Sequence, residues 1–188
     1  AGFDMGALGF DTSELDELLG GTADEVGQTD PNETPDVPEV AVSKPGEVYV
    51  LGQHLLLCGD STRREDVAEV AGDGTVDCWL TDPPYNVNYE GSAGKIKNDN
   101  MDGDKFYQFL FDAFSCMEKV MADDASIYVF HADTEGLNFR RAFADAGFYL
   151  SGCCIWKKQS LVLGRSPYQW QHEPVLYGWK KKGKHQWY

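Results

Sequence analysis

Val76-Asp77-Cys78-Trp79-Leu80-Thr81-Asp82-Pro83-Pro84-Tyr85 joins two kinds of sequence at one point. Its first five residues form a compact apolar run, as expected of a strand buried in a parallel sheet. An acid, two prolines and an aromatic residue follow, and then a polar loop rich in Gly and Asn runs from Asn86 to Gly103. In open α/β sheets, ligands bind at the C-terminal ends of the strands. The loop opened by Asp82 is therefore the expected site.

The chain on either side alternates in the same manner. Upstream, Glu47 to Val50 and His54 to Cys58 read as short strands around Leu51-Gly52-Gln53, and Arg64 to Ala71 has helical spacing that stops at Gly72. Downstream, Phe106 to Met121 is amphipathic with an aromatic face, Ser126 to Phe130 is a strand, and Thr134 to Ala146 is a helix. Phe148 to Trp156 and Pro174 to Trp179 are two further strands. Strands alternating with helices predict a layered α/β sheet.

The front of the chain differs in kind. Thr12 to Leu19 has a capping residue and apolar positions at helical spacing, and it stops at Gly20-Gly21. Residues 1–21 are read as a short helical remnant of a preceding segment, consistent with a chain that begins with Ala and is an excerpt of something longer. Residues 22–46 are an acidic, Pro-rich linker with too few large apolar groups to offset ordering entropy. Residues 47–188 form the main domain.

The net charge of −15 argues at first against a nucleic-acid partner. Its distribution weakens the objection. Acids fill residues 1 to 47 against a single Lys44, whereas Lys157, Lys158, Arg165, Lys180, Lys181, Lys182 and Lys184 stand against Glu173 near the C-terminus. That asymmetry fits an acidic tail on a domain with one basic side. No apolar run approaches the roughly 20 residues of a membrane span, and no basic patch precedes an apolar stretch at the start, so neither membrane nor signal peptide is expected. The odd set Cys58, Cys78, Cys116, Cys153 and Cys154 has no C-x-x-C pair. It reads as buried free thiols, with neither a disulfide framework nor a metal site.

The residue types after the strand suit one difficult reaction. An exocyclic amino group on a base is a poor nucleophile because its lone pair is delocalised into the ring. Asp82 can accept one amino hydrogen. Proline has a fixed φ and no N–H, and Pro84 holds Pro83 extended, so the Pro83 carbonyl is a rigid second acceptor. Two acceptors at fixed angles favour a tetrahedral nitrogen, which is preorganised electrostatics. Tyr85 offers an aromatic face to a base taken out of its helix. The plain alternative is a proline turn capped by an Asp.

Asp82-Pro83-Pro84-Tyr85, followed by Asn86-Val87-x-Tyr89, resembles the N6-adenine and N4-cytosine DNA methyltransferases. So do Gly59-Asp60-Ser61 at its spacing from Val76-Asp77, Lys95-Ile96-x-Asn98-Asp99, Trp156-x-Lys158 and His172-Glu173. The order is similar to the beta group, whose catalytic motif precedes the cofactor-binding glycine motif. The resemblance implies a three-layer, Rossmann-like methyltransferase fold, incomplete in this chain, that uses S-adenosylmethionine on double-stranded DNA. It leans toward adenine. It implies a cytoplasmic enzyme of a bacterial or phage-infected cell, for which a homodimeric state stays open.

The resemblance also assigns residues. Asp82, Pro83, Pro84 and Tyr85 are catalytic. Asp60 and Ser61, with Asp82, fall where the family meets the cofactor. Asn86, Lys95 and Lys97 lie in a loop that closes over the base, and Arg165, Tyr168 and Trp170 lie in a recognition region that starts near residue 159. Asp60 could equally cap the next helix, Arg165, Tyr168 and Trp170 could be ordinary loop and core residues, and His131 and His172 are read as structural. The stretch from Leu8-Gly9-Phe10 to Leu19 resembles the tail of a ParB-like domain that precedes methyltransferases in phage fusions. No Phe-x-Gly-x-Gly occurs in the chain, so little methylation is expected of it alone. The alternatives are a non-catalytic DNA-binding fragment and an N4-cytosine enzyme; Asp82 argues against protein amides as targets.

Overall fold

The protein was analysed as a computed structural model, which describes residues 38–91, 94–162 and 167–185. The expected helix at residues 12–19 lies outside the described residues. Val48–Leu51 (β1) and His54–Leu57 (β2) pair antiparallel, and Gly52 supplies the positive φ of 64° that turns the chain between them. Arg64–Ala71 is helix α1 and Val76–Thr81 is strand β3. The polar loop contains a minimal hairpin, Glu90–Gly91 (β4) with Gly94–Lys95 (β5). Helix α2 is Gly103–Val120, strand β6 is Met121–Phe130, and a 3-10 turn at Asp133–Glu135 leads into helix α3, Gly136–Asp145. Phe148–Val162 (β7) and Trp170–Lys180 (β8) complete the order.

The main sheet runs β3-β6-β8-β7. β6 is parallel to β3, and β8 is antiparallel to both of its neighbours. The ends of β3, β6 and β7 therefore share one edge with the start of β8. This geometry places the site.

Apolar spacing explains the layer beneath. Phe106, Leu110, Phe114 and Met117 fall on one face of α2, and Phe139, Ala142 and Phe143 on one face of α3. All are buried against Ile127 and Val129 of β6, Leu176 of β8 and Phe148 of β7. Each large side chain buried in this way contributes roughly 1.5–3 kcal/mol. α1 packs beside α2, where the Cys116 thiol reaches the Thr62 carbonyl at 3.4 Å. The opposite sheet face carries an aromatic row. Tyr128 stacks on Tyr177 with centroids 4.9 Å apart, Trp179 meets Tyr149 at 5.0 Å, and Phe130 meets Trp156 edge-on. The described residues thus supply the sheet and one helical layer of the expected architecture.

Three expectations need correction. Among the described residues β3 bonds to β6 alone, and Asp77, Cys78 and Leu80 are exposed, Leu80 at 67%. An apolar run records that a strand is suited to burial, and not whether a neighbour is there to bury it. The thiols are free but not buried: Cys58 and Cys116 are half-buried, and Cys78, Cys153 and Cys154 are exposed. The C-terminal strands are also longer than their apolar cores predict. β7 continues to Val162 and β8 starts at Trp170, so Trp156 and Lys157 pair with Glu173 and His172 beyond the end of β6. Backbone pairing between two strands continues where no core lies beneath them, and hydrophobic periodicity cannot register it.

Candidate active site

Beyond β3, Asp82, Pro83, Pro84 and Tyr85 line a cavity of about 400 Å³, together with Val87, Tyr89, Ile96, Asp99 and Glu173. Asp82 is exposed and Tyr85 is half-buried, its ring edge-on to Phe139 of α3 at 6.5 Å. Burial pushes the Tyr85 phenol well above its usual range, helped by a hydrogen bond to Asp82 and by the negative charges of Asp82 and Glu173. The phenol is therefore a permanent hydrogen-bond donor in this cavity at any ordinary pH.

The loop over the cavity is built by two side chains. Asn86 and Asn88 adopt positive φ, 60° and 53°, which short polar side chains tolerate better than others. The Asn86 carboxamide accepts from the Met101 N–H at 2.6 Å and donates to the Met101 carbonyl at 3.1 Å and to Glu135 at 3.0 Å. Its polar atoms are engaged by the loop and by Glu135 of the 3-10 turn, so it shapes the wall. Asp99, 2% exposed, accepts from the backbone N–H of Tyr89 at 2.6 Å and of Val87 at 3.3 Å, while its carbonyl accepts from Asn88 at 2.6 Å. Asp99 clamps the segment after the proline pair. Lys95 is exposed and pairs loosely with Glu90 at 3.9 Å; Lys97 is exposed.

Asp60 follows β2. Its Oδ1 accepts from the Thr62 N–H at 2.9 Å and the Thr62 hydroxyl at 2.7 Å, and these bonds hold its carboxyl below the usual range. These bonds form an Asx turn ahead of α1; the helix N-cap itself, Arg63, has no side-chain cap bond. Asp60 also lines, with Ser61, a second groove of about 280 Å³ walled by Leu57, Val67, Val70 and Trp79. Asp60 and Asp82 stand at separate hollows joined by β3. Tyr168 is 85% exposed and Trp170 46% exposed, on the β7–β8 arm; Arg165 lies outside the described residues. His131 is fully buried after β6. Its Nδ1 donates to the Pro174 carbonyl at 3.0 Å, and burial holds its pKa below the ordinary value. Its ring lies beside Phe139 of α3, centroids 5.3 Å apart.

The sequence reading did not assign Glu173 a site role. β8 starts at the edge where β3 ends, and Lys158 ion-pairs with Glu173, both side chains mostly out of solvent. Only strand order brings Glu173 to Asp82. In the sequence it stood as the lone acid of the basic C-terminal stretch and in His172-Glu173, one of the pairs that carry the family resemblance.

An acid, two prolines and an aromatic side chain thus stand together after a parallel strand, lining one cavity. Residues 76–187 match the family described as DNA methylase, N6_N4_Mtase, which is more than half of the chain; the chain belongs to that family. Residues 1–45 match the ParB-methyltransferase HTH domain. Among solved structures, the chain is similar to the M1.HpyAVI–SAM complex, with 16% identity over 66% of this chain and 54% of that one, TM-score 0.45. It is also similar to a Thermus thermophilus protein assigned, not established, as a DNA modification methylase. That match has 17% identity over 69% of this chain and 54% of that one, TM-score 0.49. The chain spans about half the length of these structures. No curated protein matches it. Among the described residues, no helix is long and apolar enough to cross a membrane.

Proposed function

We propose that this chain carries the base-binding half of an S-adenosylmethionine-dependent DNA amino-methyltransferase, with adenine N6 as the favoured target. The observation that carries it is Asp82-Pro83-Pro84-Tyr85 placed at the end of β3 as one wall of a cavity of about 400 Å³. Asp82 and the Pro83 carbonyl accept the two amino hydrogens and turn the nitrogen lone pair out of the ring. Tyr85 packs on the base, which must leave its helix to enter; stacking on an aromatic side chain contributes ~1–3 kcal/mol. The hydrogen lost from nitrogen after methylation leaves through the Asp82 carboxylate to water.

The groove beside Asp60 suits the adenine end of the methyl donor, having apolar walls at Leu57, Val67 and Trp79 and a carboxylate at one side. When bound, S-adenosylmethionine supplies an electrophilic methyl group on a sulfonium. The chain has no Phe-x-Gly-x-Gly for the methionine part, so little or no methylation is expected of this chain alone. Lys95, Lys97, Tyr168 and Trp170 then meet DNA around the cavity, with the β7–β8 arm as the start of the recognition surface.

The test is methylation of unmethylated genomic DNA with a labelled donor, with the nucleosides resolved by mass spectrometry. N6-methyldeoxyadenosine supports the reading in full, and N4-methyldeoxycytidine moves the target to cytosine. Asp82→Ala must abolish either product while the fold stays intact. Retained activity in that variant refutes the assignment. If no donor binds, the chain is a DNA-binding piece without catalysis; absence of a melting shift with S-adenosylmethionine marks that outcome.

A further inference from the structure

Two consecutive residues of the cavity loop are held by the start of α3. The Tyr85 ring stands edge-on to Phe139, which is fully buried, with centroids 6.5 Å apart. Asn86, the next residue, donates from its carboxamide to Glu135 at 3.0 Å. Glu135 and Phe139 are four residues apart, the spacing that puts side chains on one helical face.

Asn86 has to be held. Its φ of 60° is a left-handed conformation that any residue with a Cβ disfavours. Its carboxamide has two donor hydrogens and one acceptor oxygen. The oxygen accepts from the Met101 N–H at 2.6 Å, one hydrogen goes to the Met101 carbonyl at 3.1 Å, and the other goes to Glu135. Met101 thus ties the kink to the residues ahead of α2, and Glu135 ties it to α3 by a charge-assisted bond.

Glu135 is placed for this task and not for capping. It occupies the N-cap position of α3, where Ser, Thr, Asp and Asn serve best, and its side chain makes no cap bond. One carboxylate oxygen takes Asn86 and the other takes Asn138 of the first turn at 2.8 Å. The positive end of the helix stabilises a carboxylate there. Glu135 is half-buried and does not itself line the cavity.

We propose that Glu135 is a positioning residue for the base: it locks the kink after Tyr85 and so sets the angle at which the Tyr85 ring meets a base in the cavity. This rests on the base-binding reading of the cavity given above.

The experiment uses the full chain and two single DNA strands of thymidines, one with a central deoxyadenosine and one abasic at that position. The ratio of their Kd values, from fluorescence anisotropy, isolates the gain from one base, with no base pair to break. Glu135→Ala is expected to lower this ratio about fivefold, the lower end of what stacking one base on an aromatic ring provides, and to leave the affinity for the abasic strand unchanged. Glu135→Gln keeps one acceptor and recovers part of the ratio. In the Asn86→Ala background, adding Glu135→Ala has no further effect. With asparagine labelled by nitrogen-15, the Asn86 carboxamide signal, identified by its loss in Asn86→Ala, moves in Glu135→Ala. If Glu135→Ala does not fold, Glu135→Gln takes its place and must move that signal and lower the ratio.

An unmoved Asn86 signal or an unchanged ratio overturns the proposal. So does an equal loss of affinity for both strands, which marks Glu135 as part of the helix start only. The underlying reading fails separately. If the unaltered chain binds the two strands alike, or Asp82→Ala and Tyr85→Leu leave the ratio unchanged, no base enters this cavity, and a moved Asn86 signal then marks Glu135 as a brace for the loop and nothing more.

Discussion

Replacing Asp99 by Ala tests whether the loop over the cavity is held from below. The carboxylate is 2% exposed and accepts two backbone N–H bonds, from Tyr89 at 2.6 Å and Val87 at 3.3 Å. A hydrogen bond to a charged group contributes about 1.5–3 kcal/mol. The longer bond counts at the low end, and both donors belong to residues with exposed side chains, so water can recover part of the loss. The expected cost is about 2–4 kcal/mol, which for a domain of this size is a fall in Tm of roughly 4–16 °C. Asp99→Asn should fall between, because its amide keeps one acceptor and sets a donor against the other N–H. Urea unfolding of the three proteins gives the energies from the midpoints at constant slope. Base affinity should drop with stability, since Val87 and Tyr89 line the cavity. A loss under about 1 kcal/mol for Asp99→Ala would mean that the loop is held by something else, and the reasoning fails.

Gly178→Ala should be strongly destabilising, because a Cβ there overlaps the Tyr149 carbonyl oxygen and comes within 3.0 Å of the Phe143 ring. Overpacking of this kind costs about 1–3 kcal/mol or more, read by thermal unfolding. His131 predicts a pH effect. Its folded pKa lies below the unfolded value because burial disfavours the charged ring, so the unfolded chain binds more protons as pH falls below about 6.5. Stability present above that pH is therefore lost on acidification, and His131→Gln should flatten this part of the profile in urea titrations at pH 7 and pH 5.5. For Asp60, the Asn variant keeps an acceptor for Thr62 and Ala does not. Thermal shifts should show about 1 kcal/mol lost by Asp60→Ala and less by Asp60→Asn, the order of one net hydrogen bond. The stabilisation given by S-adenosylmethionine should shrink in both if the groove holds the donor.

The sequence alone determined the α/β class and pointed to the segment after β3 as the candidate site. Alternating strands and helices, and an apolar run ending in Asp82-Pro83-Pro84-Tyr85, carry that information locally, because proline stiffness and side-chain periodicity act over a few residues. Asn86 and Asp99 show where local reading stops. Both were legible as polar loop residues, but their partners, Met101 and Glu135 for one and Val87 and Tyr89 for the other, are set only when the loop folds back. Glu173 goes further. Nothing near it in the chain points to Asp82, and the two line one cavity because β8 runs antiparallel beside β6 and opens at the edge where β3 closes. Tertiary structure also decided that β3 stands exposed among the described residues and that β7 and β8 extend as a paired arm. Those outcomes depend on which strand lies beside which, and sequence periodicity records the character of a face without naming its neighbour.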